Sequence, residues 1–250
     1  MTKTALVTGA SAGFGEAISR RLVADGWRVV ACARRADKLA ALHEELGEAL
    51  LVHVLDVTDA RAVAALADSL PEGWRELDLL VNNAGLAMGM DPAQTADLQG
   101  WDTMVAVNVT GLMHVTRALL PGMLDRGRGL IVNLGSTAAN YAYPGGNVYG
   151  ASKAFVEQFT LGLKADLIGT GVRVSCIEPG MVGGTEFSAV RFGGDQARAA
   201  KVYEGVDPLT PEDIAETVAW IAGLPPHMNV NLIELMPTCQ APAAPAVKRS

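Results

Sequence analysis

The stretch Thr8-Gly9-Ala10-Ser11-Ala12-Gly13-Phe14-Gly15 decides the fold of this chain, because it joins a buried strand to an amphipathic helix. The residues before it, Ala5–Val7, are all apolar, as in a strand covered on both faces. The residues after it, Glu16–Asp25, repeat apolar side chains with the period of a helix. The stretch is therefore predicted to be a glycine-rich turn between the first strand and the first helix.

The same alternation of strand and helix continues along the rest of the chain. Seven short apolar runs are predicted to be strands: Ala5–Val7, Val29–Ala33, Leu50–Leu55, Leu77–Val81, Leu130–Leu134, Val172–Ile177 and Leu232–Leu235. Helical periodicity lies between them, in Glu16–Asp25, Ala36–Leu46, Ala60–Leu70, Trp101–Leu124, Val148–Ile168 and Pro211–Leu224. This pattern predicts an α/β fold, a doubly wound Rossmann-type domain whose parallel sheet has helices on both faces.

Length and composition agree with a single domain. The chain has 250 residues and half of them are apolar, which is enough for one large core. We see no linker before the Ala/Pro-rich end. Residues 1–237 are therefore predicted to form one domain, and residues 238–250 a tail that is either loose or docked on a neighbour.

Charge and hydropathy exclude several classes of protein. The formal net charge is −7 and no basic cluster exceeds Arg34–Arg35 or Arg126–Arg128, which disfavours nucleic-acid binding. No run of about 18 uncharged apolar residues occurs, so no membrane-spanning helix is predicted. The first residues lack the pattern of a secretory signal, and we expect a cytoplasmic protein.

Cysteine and histidine spacing indicates no metal site and no disulfide framework. The three cysteines are far apart, and neither they nor the four histidines show ligand spacing: Cys32, Cys176, Cys239, His43, His53, His114 and His227. A zinc-dependent alcohol dehydrogenase is therefore disfavoured.

The glycine-rich turn is a candidate phosphate-binding site. Amide groups at a helix start have no partner within the helix, and the helix dipole is positive there. A tight turn by itself would explain one glycine with positive φ, but not the three glycines of this turn. Its position between the first strand and first helix predicts a site for the pyrophosphate of a dinucleotide.

The spacing Gly-x3-Gly-x-Gly resembles that of the short-chain dehydrogenase/reductase family. Further matches follow in the family's order: Asn82-Asn83-Ala84-Gly85, Ser136, Tyr149-x3-Lys153 and Pro179-Gly180. The resemblance spans residues 8 to 185 and implies a seven-stranded parallel sheet with the cofactor at the carboxyl ends of the strands. It implies cofactor contacts at Gly9, Ser11, Gly13, Phe14, Gly15, Asn83, Ala84, Gly85, Tyr149, Lys153, Pro179, Gly180, Val182 and Thr185.

The end of the second strand indicates which dinucleotide is used. A carboxylate there would favour NAD, whereas Arg34 and Arg35 offer two guanidinium groups to the 2′-phosphate of NADP. NADP is therefore the predicted cofactor; the alternative is a surface turn whose arginines are merely solvated. Asp56 and Val57, after the third strand, match the family's adenine contact, although Asp56 is equally able to cap a helix before Thr58.

A tyrosine and a lysine four residues apart on a helix lie on one face, about one turn apart. Tyr149 and Lys153 have this spacing, so the ammonium group is expected next to the phenol. A phenol is a poor base at neutral pH, and lowering its pKa by ~3 units requires roughly 4 kcal/mol of phenolate stabilisation. Lys153 and the positive nicotinamide are predicted to supply much of it.

The family resemblance adds Ser136 as donor to the substrate oxygen and Asn108 as holder of a water in a proton relay. Each has a simpler alternative, since Ser136 is able to cap a turn and Asn108 is able to satisfy buried backbone groups. Taken together in the family's order, these residues predict reversible hydride transfer between an alcohol and the nicotinamide, with Tyr149 accepting the hydroxyl proton.

Other segments resemble one subgroup, the NADP-dependent 3-hydroxy acid dehydrogenases, also known as serine or L-allo-threonine dehydrogenases or malonic semialdehyde reductases. These segments include Gly145–Ala151 and Glu178–Phe187, and the likeness covers residues 1 to about 237. The subgroup implies short 3-hydroxy acids as substrates and a homotetramer. The alternatives are a broad carbonyl reductase and a non-catalytic NADP sensor.

A small 3-hydroxy acid needs a partner for its carboxylate, because a buried charge without one is costly. The segment Gly180–Asp195, expected to form a lid, contains a single cation, Arg191. Arg191 is one candidate, and the backbone amides of Gly145 and Gly146 together with Asn147 are the other.

Overall fold

All seven predicted strands are present in the computed structural model, which describes residues 2–242. The strands are β1 (Thr4–Thr8), β2 (Arg28–Ala33), β3 (Leu50–Val54), β4 (Leu79–Asn82), β5 (Gly129–Leu134), β6 (Val172–Pro179) and β7 (Leu232–Leu235). They form one parallel sheet in the order β3-β2-β1-β4-β5-β6-β7. The predicted fold is confirmed.

The order of the strands reverses between β1 and β4, and this places the site. In a doubly wound sheet the connections on either side of such a reversal turn away from each other, which leaves a cleft at the carboxyl ends of the strands. The glycine turn after β1 and the Asn82–Gly85 motif at the end of β4 meet there. Every residue of β1 and β4 is buried, because helices cover both faces.

Ten helices surround the sheet within residues 2–242. They are α1 (Gly13–Ala24), α2 (Ala36–Leu46), α3 (Ala60–Ala64), α4 (Leu66–Ser69), α5 (Leu98–Val105), α6 (Leu112–Asp125), α7 (Asn147–Asp166), α8 (Phe187–Arg191), α9 (Gln196–Lys201) and α10 (Pro211–Gly223). One core cluster lies between the sheet and α1, α2 and α10, and the other between the sheet and α3, α4, α6 and α7.

The helix predictions need three corrections. The predicted helix Ala60–Leu70 is interrupted at Ala65. The predicted helix Trp101–Leu124 begins earlier, at Leu98, and contains a wider π-helical turn at Ala106–Gly111. The helices α8 and α9 were not predicted, because helices of five and six residues are too short for a clear period.

The long helix Leu98–Asp125 also bears on the membrane prediction. Its mean hydropathy of 1.2 over an 18-residue window makes it apolar enough to cross a membrane by length and composition alone. It nevertheless packs on the sheet through Leu112, Val115 and Met123, as the core helix of a globular domain does. Leu98 and Val105 are exposed, so the helix is apolar on more than one face.

The beginning of the predicted tail docks on the domain. The amide of Met181 donates to Gln240 Oε1 at 2.7 Å, and the Gln240 side chain fills the space that a Cβ on Gly180 would need. The rest of the predicted tail, residues 243–250, lies outside the described residues.

Candidate active site

A cavity of about 340 Å³ opens at the carboxyl ends of the strands. Arg34, Arg35 and Asp56 line one side of it, which we call the arginine end. Tyr149 and Lys153 line the opposite side, and we call these two residues with Ser136 and Asn108 the tyrosine end. Of the predicted cofactor contacts, the cavity is lined by Gly9, Ser11, Gly13, Phe14, Arg34, Arg35, Asp56, Val57, Asn83, Ala84, Gly85, Tyr149, Lys153 and Thr185.

The three glycines of the turn have different structural roles. Gly9 and Gly13 have positive φ angles of 67° and 55°, whereas a Cβ on Gly15 would lie 2.3 Å from the carbonyl oxygen of Gly9. Positive φ therefore explains the glycines at positions 9 and 13, and close backbone packing explains Gly15. This corrects the expectation that positive φ explains only one of the three glycines. Gly15 does not line the cavity.

Hydrogen bonds tie the glycine turn to the end of β4. The Thr8 hydroxyl accepts from the amides of Asn83 and Ala84, both at 3.0 Å. Asn83 Nδ2 donates to the carbonyls of Thr8 and Gly9 at 2.8 and 3.2 Å. The asparagine motif thus fixes the backbone of the turn, and the start of α1 faces the cavity with no side-chain cap on its amides.

At the arginine end, Arg34 and Arg35 are both exposed and line the cavity. Arg35 forms an ion pair of 2.8 Å with Glu186, a residue that sequence analysis missed. Asp56 Oδ1 accepts from the amide and hydroxyl of Thr58, at 2.9 and 2.8 Å. Burial alone would raise the pKa of Asp56, but these hydrogen bonds and the charge of Arg34 lower it.

Asp56 does not cap the helix that follows. That role belongs to Asp59, whose carboxylate accepts from the amides of Arg61 and Ala62. Asp56 therefore lines the cavity while it orders the turn before α3, and its contact with adenine stays a prediction.

At the tyrosine end, Ser136 caps the short 3₁₀ turn Thr137–Ala139 that follows β5. Its Oγ accepts from the amide of Ala138 at 3.1 Å, so the capping role considered from the sequence is present. Because the oxygen accepts there, the hydroxyl proton is free to be donated elsewhere. The Ser136 side chain also acts to lower the pKa of the Tyr149 phenol.

Among the chain's own groups, burial raises the pKa of Tyr149 to about 12, and the Ser136 side chain and the charge of Arg191 oppose that rise only in part. The lowering of this pKa by Lys153 together with the nicotinamide stays a prediction. Lys153 Nζ lies 5.9 Å from the centre of the phenol ring and donates to the carbonyl of Leu134 at 2.7 Å. The lysine is thus near the tyrosine, as predicted, but its charge is directed towards a backbone oxygen.

Lys153 is itself buried beside the cavity, and its pKa is lowered to about 8 because burial disfavours the ammonium form. Cys176 and Glu178 act in the opposite direction. The lysine therefore carries its charge at neutral pH but loses it in mild alkali.

The side chain of Asn108 is fully buried in the π-helical turn between α5 and α6. It accepts from the amide of Leu86 at 2.9 Å and donates to the Leu86 carbonyl at 2.8 Å and to Ser152 Oγ at 3.0 Å. The simpler alternative, satisfaction of buried backbone, is therefore present. Both Asn108 Oδ1 and Lys153 Nζ lie beside Gly85, and the relay role of Asn108 stays a prediction.

Arg191, at the end of α8, lies against the catalytic candidate. Its guanidinium carbon is 5.4 Å from the ring centres of both Tyr143 and Tyr149. Its Nε donates to the carbonyl of Gly89 at 3.3 Å, and a terminal nitrogen donates to the Tyr143 hydroxyl. The structure thus brings the predicted lid cation to the tyrosine end, although Arg191 does not line the cavity.

The other candidate for the carboxylate partner, Gly145 and Gly146 with Asn147, also lies outside the cavity lining. The amide of Gly146 donates to the carbonyl of Tyr143 at 3.0 Å. Asn147 is exposed, accepts from the amide of Val148 at 2.7 Å and donates weakly to the carbonyl of Asp91 at 3.4 Å. Neither group faces the cavity.

Three predicted contacts at the end of β6 also lie away from the cavity lining: Pro179, Gly180 and Val182. The Gly180 amide donates to the carbonyl of Leu235 at 2.7 Å, and Val182 is buried beside Leu209. The backbone here is engaged with β7 and the chain end, a long-range packing that motif spacing does not reveal.

Sequence analysis missed Glu178, which is fully buried at the end of β6. Its Oε2 accepts from Asn140 Nδ2 at 2.8 Å, whereas its Oε1 has no hydrogen-bond partner among the described residues. Burial and the nearby carboxylates of Glu157 and Glu234 raise its pKa to about 8. The sequence contains two signals for Glu178, an acidic residue directly after an apolar strand and the first position of the segment Glu178–Phe187, but neither indicates a role.

The cavity fits a phosphorylated dinucleotide. Uncapped amides at the start of α1 suit a pyrophosphate, and the exposed guanidinium of Arg34 suits a further phosphate at the arginine end. No carboxylate stands at the end of β2 to favour a free 2′-hydroxyl.

Comparison with known proteins agrees with this geometry. Residues 3–193 match the family model for short chain dehydrogenases. The chain is 56% identical to the NADP-dependent 3-hydroxy acid dehydrogenase YdfG of Salmonella typhi, over 98% of this chain and 99% of that protein. It is 51% identical to the serine 3-dehydrogenase of Rhizobium radiobacter, over 96% of both chains. The closed form of serine dehydrogenase complexed with NADP+ superposes with a TM-score of 0.97 at 52% identity, over 99% of this chain and all of that one.

Proposed function

Because this chain belongs to the short chain dehydrogenase family, we propose that it catalyses the reversible, NADP-dependent oxidation of short 3-hydroxy acids. Serine, L-allo-threonine and 3-hydroxypropionate are the substrates of this class that we would test first. The observation that carries the proposal is the cation of Arg191 beside Tyr149. It supports a pairing of a carboxylate partner, Arg191, with a proton-transfer group, Tyr149.

Tyr149 and Ser136 have different roles at the substrate oxygen. In oxidation Tyr149 accepts the proton of the substrate hydroxyl, and Ser136 donates a hydrogen bond to the same substrate oxygen. In reduction the protonated phenol returns its proton to the carbonyl oxygen. NADP, when bound, supplies the hydride acceptor, and its reduced form supplies the donor.

The raised pKa of Tyr149 predicts a direction for the pH dependence. The phenol is protonated at neutral pH, which is the form that reduction needs, whereas oxidation needs the phenolate. Groups that stabilise negative charge, Ser136 and Arg191, act towards the phenolate. We therefore expect the rate of oxidation to rise with pH over a range in which the rate of reduction falls.

Arg191 is proposed as the partner of the substrate carboxylate. Its guanidinium lies between three aromatic rings, those of Tyr143, Tyr149 and Phe187, at 5.4 to 5.9 Å. Arg191 is half-buried, and the rings cover part of its guanidinium group, where ion pairing is stronger than in open water. The forked N–H groups of the Arg191 guanidinium suit the two oxygens of a carboxylate, and the hydrogen bond to the Tyr143 hydroxyl fixes the direction of the guanidinium group.

The test is a matched set of substrates assayed with NADP and NAD. L-serine, L-allo-threonine and 3-hydroxypropionate carry the carboxylate, and the methyl ester of 3-hydroxypropionate and 1-propanol do not. The proposal predicts NADPH formation from the acids, little from the uncharged alcohols, and a preference for NADP. Equal turnover of charged and uncharged substrates would instead indicate a broad carbonyl reductase, and no reduction of NADP with any substrate would indicate a sensor.

We also propose a cytoplasmic homotetramer. The exposed apolar residues of the long helix, Leu98 and Val105, together with Leu161 on α7, supply helix faces that the domain itself does not cover. Cys32 and Cys176 are buried free thiols, which suits a reducing compartment. Light scattering at micromolar concentration tests the assembly, because a particle of 26.1 kDa would be a monomer.

A further inference from the structure

The adjacent arginines at the arginine end have different surroundings. All three nitrogens of the Arg35 guanidinium group are engaged: Nε with Ser11 Oγ at 3.2 Å, one terminal nitrogen with the Ser11 carbonyl at 3.3 Å, and the other with Glu186 at 2.8 Å. Arg34 also lines the cavity, and within residues 2–242 its guanidinium group has no hydrogen bond and no ion pair within 4 Å, although its charge acts on Asp56. The cation that is free to meet a new anion is therefore Arg34.

Glu186 directly precedes α8, the short helix of the lid segment. The opposite end of α8 is held by Arg191, whose carbonyl accepts from the Gly89 amide at 2.8 Å and whose Nε donates back to the Gly89 carbonyl at 3.3 Å. The helix is thus attached at both ends, to the glycine turn through Arg35 and to the loop after β4 through Arg191.

The lid also touches the glycine turn directly. The methyl group of Thr185 lies 3.3 Å from the position that a Cβ on Gly13 would take. Glu186, Phe187 and Val190 line the cavity together with the turn. A five-residue helix has too few internal hydrogen bonds to keep its place alone, so its position depends on these attachments.

We propose that the two arginines have separate tasks. Arg34 selects NADP by pairing with the 2′-phosphate, and Arg35 is a positioning residue that holds the lid closed through Glu186. This inference rests on the proposed function for the identity of the cofactor. It replaces the simpler hypothesis in which both guanidinium groups bind the phosphate equally.

The competing arrangement is one in which the phosphate displaces Glu186 from Arg35. Glu186 would then oppose NADP binding, and its removal would strengthen that binding. If Arg35 holds the lid and Arg34 binds the phosphate, removal of the Glu186 charge should instead loosen the lid and leave the preference between NADP and NAD unchanged. The two arrangements therefore differ in the sign of a binding measurement.

The experiment uses Glu186→Gln and Arg34→Ala, with Glu48→Gln as a control at an exposed glutamate that has no ion pair among the described residues. Hydrogen exchange of the amides in residues 187–194 reports the lid in the protein without added cofactor. Calorimetric titration with NADP and with NAD reports selection. Neither readout requires turnover, so failure of the 3-hydroxy acid assay would not be confused with failure of this inference.

We expect Glu186→Gln to speed exchange in residues 187–194 about fivefold while the ratio of the two dissociation constants stays within about twofold of the parent. We expect Arg34→Ala to reduce the ratio of the NAD to the NADP dissociation constant about 30-fold, because the 2′-phosphate loses one charged hydrogen-bonding partner. Hydrogen exchange in residues 187–194 should stay unchanged in this variant. Tighter NADP binding in Glu186→Gln, unchanged lid exchange in that variant, or an unchanged ratio in Arg34→Ala would overturn the proposal.

Discussion

The two ends of the cavity differ in how their side chains are held. At the tyrosine end, Asn108, Ser136, Tyr149 and Lys153 are all buried and lie on or beside long helices and strand ends. At the arginine end, Arg34 and Arg35 are exposed, and their partners approach across loops. Interactions at an exposed site are weakened by water and salt, whereas a buried polar group depends on its partners.

This difference separates two kinds of consequence. A substitution at the tyrosine end removes a group that has one position and one partner set, so we expect losses of turnover by orders of magnitude. A substitution at the arginine end changes an ionic interaction that is exposed to water, so we expect graded changes in cofactor affinity that depend on salt. Substitutions at the tyrosine end are therefore expected to have larger effects than substitutions at the arginine end.

The largest effect is expected for Tyr149→Phe, which removes the proton-transfer hydroxyl and keeps the ring against Phe187. We expect kcat to fall by several orders of magnitude. Tyr141→Phe, at a tyrosine paired with Glu234 away from the cavity, is the matched control and should retain activity. If Tyr149→Phe keeps more than about a tenth of kcat, a loss below about 1.4 kcal/mol, the phenol is not the proton-transfer group.

Arg191→Ala is expected to raise KM for 3-hydroxy acids ~10²-fold, about 2.7 kcal/mol, because a buried carboxylate loses its ion-pair partner. Uncharged alcohols should lose little. Arg198→Ala serves as control, because Arg198 belongs to the neighbouring helix α9 and, like Arg191, lies over an aromatic ring, that of Phe192. Parallel losses for charged and uncharged substrates would show that Arg191 orders the lid and does not bind the carboxylate.

Replacement of both Arg34 and Arg35 by Ala is expected to raise KM for NADP about 30-fold and to leave the NAD reaction nearly unchanged, because only NADP carries the 2′-phosphate. Added salt should weaken NADP binding to the parent more than to this variant. Equal weakening with both cofactors would mean that the arginines support the fold or the shared pyrophosphate.

The smallest effect concerns stability and comes from Glu178, whose pKa is raised from 4.5 to about 8, chiefly by burial. The folded protein holds this proton more tightly than the unfolded chain, so the stability it confers is present below the unfolded pKa and is lost as pH rises through the folded one. Glu178→Gln should therefore raise Tm by about 4 °C near pH 9 and by almost nothing near pH 4. Glu44→Gln is an exposed control, and an equal gain at both values would contradict the raised pKa.

The fold was predictable because its signal is local and repeated. Strands with an unbroken apolar run, such as Ala5–Val7 in β1, are typically buried on both faces, and helical periods between such strands favour a parallel sheet. The motif residues at the strand ends follow from the same register, since parallel strands end at one edge. For that reason Gly9, Asn83, Tyr149 and Lys153 meet at one cavity, as predicted.

The lid segment Gly180–Asp195 was expected from the sequence, but its short helix and its attachments were not predictable in the same way. The helix α8 has only five residues, and its place is set by Glu186 with Arg35 and by Arg191 with Gly89, pairs separated by 151 and 102 residues. Such contacts leave no periodic trace in the sequence. Glu178 escaped prediction because the apolar run ends at Ile177, whereas β6 continues to Pro179.

The direction of the Lys153 ammonium group was not predictable for a related reason. The spacing of Tyr149 and Lys153 correctly placed them on one helix, but spacing does not state where an ammonium group points. Lys153 donates to the carbonyl of Leu134, so burial dominates the pKa of the phenol. The direction of a side chain depends on the neighbouring strand, which the helix pattern does not contain.

We infer that proton transfer and cofactor selection lie at opposite ends of one cavity and are separable. The most direct test measures the NADP dissociation constant and kcat with L-serine at saturating NADP in two variants, Tyr149→Phe and Arg34→Ala. We expect Tyr149→Phe to bind NADP within about twofold of the parent while it loses turnover. We expect Arg34→Ala to bind NADP about 30-fold more weakly while kcat stays within about threefold. A tenfold or greater loss of NADP affinity in Tyr149→Phe, or of kcat in Arg34→Ala, would be about 1.4 kcal/mol of coupling and would contradict this inference.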